Sequence, residues 1–141
     1  MTKITKTELI EHLNKDLELE YAAAVQYIQH AAVLTGPEYK SIAAELNLHA
    51  TEELTHAQMI AEQIDFLGGV PTIDVENRFT AADIEKMLRF DLAGEQLAIN
   101  RYKARIQEAR ELEEYGLARV VEDILIQEEE HKRDIKNALG I

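Results

Sequence analysis

The 141-residue sequence has no cysteine, which excludes disulfides, zinc ribbons, rubredoxin-type iron sites and thiol catalysis. It has no apolar run approaching membrane-spanning length. The amino terminus, Met1-Thr2-Lys3-Ile4-Thr5-Lys6, enters a charged amphipathic pattern without an apolar signal core. The expectation is a soluble, cytoplasmic protein with no membrane partner. Basic residues are scarce, 15 Lys and Arg against 27 Asp and Glu, and the formal charge of −12 argues against nucleic acid as a partner. Lys3 and Lys6 do not make a basic arm. No stretch reads as a strand. The length fits one domain, 1–141, long enough to bury a core but not to hold two.

What is present is helical rhythm. Thr5-x-x-Glu8 reads as a capping box. Ile10, Leu13, Leu17, Glu20, Ala24, Tyr27, Ala31 and Leu34 then step by three and four, the seam of a bundle helix over roughly 6–35. Gly36-Pro37 ends it. A second helix, roughly 38–67, carries Ile42, Leu46, His49, Glu53, His56 and Ile60 and stops at Gly68-Gly69. Residues 70–79 show neither period and exceed what an antiparallel hairpin needs, so they are expected to cross along the bundle. Thr80 with Asp83 opens a third helix, roughly 81–113, with Leu88, Leu92, Glu95, Ile99, Tyr102, Ile106 and Ala109. Tyr115-Gly116 marks a break. The fourth, roughly 117–139, carries Leu117, Val121, Ile124, Glu128, His131, Ile135 and Ala138.

The second pair of helices repeats the first at a fixed offset. Adding 75 takes Glu20 to Glu95, Tyr27 to Tyr102, Glu53 to Glu128 and His56 to His131. The fold class follows: an all-α four-helix bundle of two helix hairpins joined by a long crossover loop. A Glu and a His three apart share one helix face and can chelate one metal. Glu makes up 20 of 141 residues, so a single Glu-x-x-His is weak, arising by chance roughly one time in seven. Two such pairs in matched seam slots, with Glu20 and Glu95 also matched, are a strong signal. Four carboxylates at one level of a core are very costly and repel one another. Two divalent cations resolve both problems, and this ligand set suits iron or manganese better than structural zinc. The alternative is solvated charge pairs on bundle faces.

Tyr27 and Tyr102 lie seven residues after Glu20 and Glu95 on the same faces, where each can bond a carboxylate of the site or serve as core filler. His49 shifts onto Ile124, so it reads as a satisfied buried histidine or a residue of an access channel. His12 and His30 fall outside the pattern and read as structural or exposed. Glu129 and Glu130 face solvent or a neighbouring subunit.

With these residues in place the chain resembles the ferritin-like superfamily, and the bacterioferritins most. The likeness runs through Leu13-Asn14-Lys15, Glu20, Gln26-Tyr27 and His30-Ala31. It continues in Glu53-x-x-His56-Ala57 and Phe66-Leu67-Gly68-Gly69-Val70-Pro71, then in Asp91-Leu92-Ala93-x-Glu95 and Ile124-Leu125-x-x-Glu128-Glu129-x-His131. The resemblance implies that Glu53 and Glu128 bridge two metals. Glu20 and His56 would complete one, Glu95 and His131 the other. It further implies a ferroxidase with two Fe ions per subunit (Mn is the other candidate). Such an enzyme passes electrons from Fe(II) to dioxygen or hydrogen peroxide and stores or detoxifies iron in a homo-oligomeric shell.

The departures are specific. Leu54 stands where a haem-ligating Met would be, so no haem is expected. The sequence ends after the fourth helix, without the short fifth helix of the larger cages. Glu52 and Gln127 stand where Asp commonly orients a ligand histidine. Rubrerythrins, di-iron peroxidases, share both Glu-x-x-His pairs and both tyrosines, but Leu97 stands near their further Glu. A non-storing di-iron or di-manganese peroxidase or catalase is therefore the second reading. A metal-free helical scaffold is the third.

Overall fold

Thr5 opens the first helix, α1 (Lys6–Val33). Its hydroxyl accepts from the Glu8 N–H while the Glu8 carboxylate accepts from the Thr5 N–H, so two otherwise orphaned donors are satisfied reciprocally. The computed structural model describes residues 3–141; Met1 and Thr2 of the amino-terminal stretch lie outside the described residues. After α1 the chain turns at Gly36, whose φ of 109° suits glycine. Pro37–Tyr39 then form a 3-10 turn that leads into α2 (Lys40–Phe66), so this helix begins two residues later than expected.

Two further boundaries are corrected. The third helix, α3 (Ile84–Glu111), starts at Asp83 rather than Thr80, because the Asp83 carboxylate accepts from the Lys86 N–H and caps the first turn. The break before α4 (Tyr115–Leu139) is not at Tyr115-Gly116, which lie in its first turn. The chain reverses at Glu113, a non-glycine residue with a φ of 60°. There the Glu113 N–H donates to Arg110 O and the Glu114 N–H to Ala109 O, the paired bonds of a Schellman ending. The same pair of bonds closes α2 at Gly68 and α4 at Gly140, both glycines with positive φ.

Helices α1 and α2 pack as one hairpin and α3 and α4 as another; the hairpins dock α1 on α3 and α2 on α4. The segment 67–83 crosses the bundle along α1. The Asn14 amide donates to Val70 O and accepts from the Thr72 N–H, and Tyr21 donates to Thr72 O. The Phe79 N–H donates to the Gln26 side chain, and His30 donates to Phe79 O. From residue 14 to residue 30 a helix rises about 24 Å, which is why so long a connection is needed. Among the described residues there is no strand, and no helix is long and apolar enough to cross a membrane.

The core has two apolar ends. Leu9, Leu13, Leu17, Ile60, Ile64 and Val121 belong to one; Ala31, Leu46, Leu88 and Ile135 belong to the other. Between them lies a polar level.

Candidate metal centre

Each helix places its polar seam residues at that level: Glu20 from α1, Glu53 and His56 from α2, Glu95 from α3, Glu128 and His131 from α4. None is more than 2% exposed. They form two overlapping groups, Glu20 with Glu53, His56 and Glu128, and Glu95 with Glu53, Glu128 and His131. Within each group one donor atom per residue lies within 4.8 Å of the others. Glu53 and Glu128 belong to both. His56 Nδ1 sits 3.5 Å from Glu20, 3.2 Å from Glu53 and 3.1 Å from Glu128. His131 Nδ1 sits 3.2 Å from Glu53 and 3.4 Å from both Glu95 and Glu128. All six candidate metal ligands that the 75-residue offset relates are thus brought together.

The outer ring nitrogens decide what faces inward. His56 Nε2 donates to Gln127 Oε1 at 2.5 Å, while the Gln127 amide donates to Glu52. The other Glu52 oxygen lies 3.3 Å from His131 Nε2. With Nε2 committed outward as a donor, each Nδ1 is the nitrogen available to the centre. Glu52 and Gln127 therefore orient the two histidines from positions that are themselves 75 apart.

What faces inward lacks partners. Glu20 Oε2, Glu53 Oε1, Glu95 Oε2, both Glu128 oxygens and both histidine Nδ1 atoms have none. Buried polar atoms are rarely left so, because each costs its full desolvation. Two divalent cations would satisfy these atoms and balance four carboxylates, so the residues fit a pair of iron or manganese ions.

Without cations the site holds protons instead. Burial, then repulsion from Glu128, pushes Glu20 up to about 7 and Glu95 up to about 8. Glu53 is raised by burial and by the neighbouring carboxylates. Burial opposes charge on the imidazoles, but the proximity of the carboxylates outweighs it, raising His56 and pushing His131 up to about 11. Glu128 moves the other way: burial disfavours its charge, yet the adjacent His131 and His56 imidazoles hold it below the usual carboxylate range.

The tyrosines brace the centre across the two hairpins. Tyr27 donates to Glu95 Oε1 at 2.6 Å, and Tyr102 donates to Glu20. Each phenol thus holds the carboxylate of the other hairpin, not the one seven residues before it. Burial and the adjacent carboxylates keep both phenols protonated, well above the usual range.

A buried ion pair lies to each side. His30 Nδ1 donates to Asp91 at 2.9 Å and its Nε2 to Phe79 O at 2.8 Å. Both partners are acceptors, so the ring carries both protons; burial opposes this, but Asp91 outweighs it and raises the pKa. Arg105 Nε donates to Asp16 at 2.8 Å, and burial still lifts Asp16 to about 6 against the pull of Arg105. Since 16 + 75 = 91 and 30 + 75 = 105, the two pairs are equivalent under the offset, each bridging α1 of one hairpin and α3 of the other. Comparing charge class instead of residue type at that offset would have found them. His12 is half-buried against Glu108 at 2.6 Å, and Glu129 and Glu130 are exposed.

His49 is fully buried, stacked on His131 with centroids 4.0 Å apart, and bonded through Nε2 to Asp134 at 3.1 Å. With Glu45 and Asp134 it forms a third cluster of potential ligands. On the opposite side a cavity of about 330 Å³ lies between α1 and α3 beneath residues 76–79. It reaches Glu20, Glu53, Glu95 and Glu128.

Comparison with known proteins agrees with this architecture. The ferritin-like domain family matches residues 10–141. A bacterioferritin from Desulfovibrio desulfuricans is 32% identical, the match covering 89% of this chain and 71% of that one. A nutrient stress-induced DNA-binding protein from Nostoc is also 32% identical, over 92% of this chain and 76% of its own. Among solved structures, a ferritin-like, diiron-carboxylate protein from Bacillus anthracis superposes with a TM-score of 0.92 at 32% identity, covering 95% of this chain and 96% of that one. The chain, a four-helix bundle with a carboxylate and histidine cluster at its centre, belongs to the ferritin-like family, with bacterioferritins among its relatives.

Proposed function

We propose that the chain is a ferroxidase. It would bind two iron ions per subunit and oxidise Fe(II) with dioxygen or hydrogen peroxide, storing or detoxifying iron in a cytoplasmic homo-oligomeric shell. The observation that carries this reading is the set of inward-facing carboxylate oxygens and imidazole nitrogens left without partners at mid-bundle. In this reading Glu53 and Glu128 serve both metals, Glu20 and His56 hold one, and Glu95 and His131 hold the other. The iron supplies the electrons and the protein supplies the geometry. Gln127 and Glu52 aim the histidines, and Tyr102 and Tyr27 keep one oxygen each of Glu20 and Glu95 bonded while the other is available to metal. Exposed apolar side chains support an assembly: Val25 and Ile28 on α1, Leu48 and Leu54 on α2, Val70 and Ile73 on the crossover. The charge of −12 leaves DNA outside the proposal.

The test is anaerobic Fe(II) titration of the metal-free protein, followed by stopped-flow absorbance on mixing with air or peroxide. Size-exclusion mass is recorded before and after. The expected result is saturation at two irons per chain, then oxidation and further uptake in a large particle. Glu53→Ala or Glu128→Ala should abolish paired-metal binding; two tightly held irons in either variant would refute the assignment.

A further inference from the structure

The cavity between α1 and α3 is larger than the proposed oxidants require. At about 330 Å³ it is roughly ten times the share of liquid volume of one water, and it falls within the range of pockets that take organic ligands. Dioxygen or hydrogen peroxide would need only a narrow passage. The walls are mainly apolar, with Leu19, Ala22 and Ala23 from α1, Phe90 and Leu97 from α3, and Phe79 from the crossover. Glu76 at the roof is tied to Arg101 at 2.8 and 2.9 Å, so it does not make the passage a cation path. Phe79 and Leu97 are both exposed and mark where the cavity reaches solvent. Its floor is the buried, unpartnered carboxylates of the centre.

Gly94 adds an independent observation. It stands in the interior of α3, where glycine is less favourable than alanine. Its backbone has no positive φ, and a Cβ built there meets nothing within 4 Å. Neither a turn nor a close approach requires glycine. What it does is leave open space beside the cavity that it lines. The opposite approach, between α2 and α4, is occupied by the Gln127–Glu52 hydrogen bond and by His49 stacked on His131.

We propose that this cavity holds the organic part of a hydroperoxide ROOH with an apolar R group, delivering its O–O bond to the carboxylate cluster. The proposal rests on the ferroxidase reading for its redox step. The O–O bond breaks with two electrons, one from each of two Fe(II). The alkoxide oxygen takes a proton and leaves as ROH, and the terminal oxygen takes a proton and leaves as water. The balance is ROOH + 2 Fe(II) + 2 H⁺ → ROH + H₂O + 2 Fe(III). The apolar walls desolvate R, and the cavity floor sets the O–O group against the centre.

The binding step is tested without iron. The metal-free protein is titrated with cumyl alcohol, the unreactive product of cumene hydroperoxide, by calorimetry and by NMR shifts of the α1 and α3 amides. Saturable binding with shifts around Ala22, Ala23 and Gly94 is expected. Gly94→Leu, or Ala23→Leu from the facing helix should either variant fold poorly, should weaken binding at least tenfold. The iron-loaded protein is then mixed with cumene hydroperoxide or hydrogen peroxide. One hydroperoxide consumed per two Fe(II), with cumyl alcohol as product, supports the redox step. In Gly94→Leu the ratio of the cumene hydroperoxide rate to the hydrogen peroxide rate should fall at least tenfold. Iron oxidation by hydrogen peroxide with no alcohol binding overturns the cavity assignment alone. An unchanged rate ratio in both folded variants also overturns it. Alcohol binding without any iron uptake overturns the ferroxidase reading and the redox step, and supports the cavity as an organic site.

Discussion

Removing metal should make this protein's stability fall as pH rises, and restoring metal should abolish that fall. In the metal-free fold Glu20 titrates at about 7 and Glu95 at about 8, against an unfolded carboxyl near 4.5. A carboxyl whose folded pKa is raised contributes stability that is full below the unfolded pKa and is lost as pH climbs through the folded one. The histidines act in the same direction. Raised above 6.5, with His131 at about 11, they contribute stability at low pH that is lost at high pH. Glu128 has the opposite sign, but its effect is confined to pH below the ordinary carboxyl range. Each extra proton held by the folded state gives a slope of about 1.4 kcal/mol per pH unit. Two carboxyls between pH 5 and 7 therefore cost on the order of 5 kcal/mol, comparable to the total stability of many domains. This corresponds to a Tm drop of roughly 15 °C for a chain of this size. The assay is thermal melting of chelator-treated protein at pH 5, 6 and 7, repeated with Mn(II), which air does not readily oxidise. Mn(II) should lift the pH 7 melt most, because cations and protons compete for the same atoms. Glu20→Gln combined with Glu95→Gln should make the metal-free profile shallower, leaving the part due to Glu53 and the histidines. A flat or rising metal-free profile, or an unchanged slope in the double variant, would sink the argument that these carboxylates are the proton store.

Other expectations follow from single contacts. Tyr102→Phe leaves a Glu20 oxygen without its donor and should cost about 1–3 kcal/mol in the metal-free protein by denaturant melts, with weaker binding of one metal by titration. Gly69→Ala places a Cβ 2.5 Å from Ile10 Cγ2 and 3.1 Å from Ile64 Cγ2. It should lower stability by about 1–3 kcal/mol, and adding Ile10→Ala should recover part of that loss. Glu113→Gly relieves a left-handed non-glycine residue and should raise stability by about 1 kcal/mol; a lower Tm would contradict the Schellman assignment. His30→Ala removes the bond to Phe79 O and should expose the crossover to trypsin at Arg78, read as two fragments on a gel.

Much of this was legible in the sequence because burial in a bundle obeys a period. Leu13, Leu17, Ile60, Val121 and Ile135 are buried where the three-and-four rhythm placed them, and so are all six polar seam residues. The misreadings share a cause. Gly116 looks like a stop because glycine usually supplies the left-handed residue at a helix end, but here Glu113 takes that conformation and Gly116 sits in a helix. Thr80 and Asp83 are both capable caps, and only the three-dimensional path shows which one meets a free N–H. His30 falls outside the residue-type repeat because its shifted partner is Arg105. The offset preserves a cation beside an aspartate, not a residue type. Glu45 stands one turn before His49 on α2, but Asp134 meets His49 only after α2 and α4 dock, so the cluster has no signal in the offset.

The crossed tyrosine bonds have a consequence for how such a bundle can arise. Tyr27 steadies Glu95 and Tyr102 steadies Glu20, and Glu52 and Gln127 likewise reach the histidine of the opposite half. Neither half is complete alone, yet each supplies what the other lacks at matching positions. Two identical half-length chains meeting about a twofold axis would satisfy the same pattern of mutual bracing. Joining them into one chain frees each copy to diverge wherever the bracing does not constrain it. Histidine at position 30 of one half and arginine at position 105 of the other, each paired with the opposite half's aspartate, are divergence of that kind.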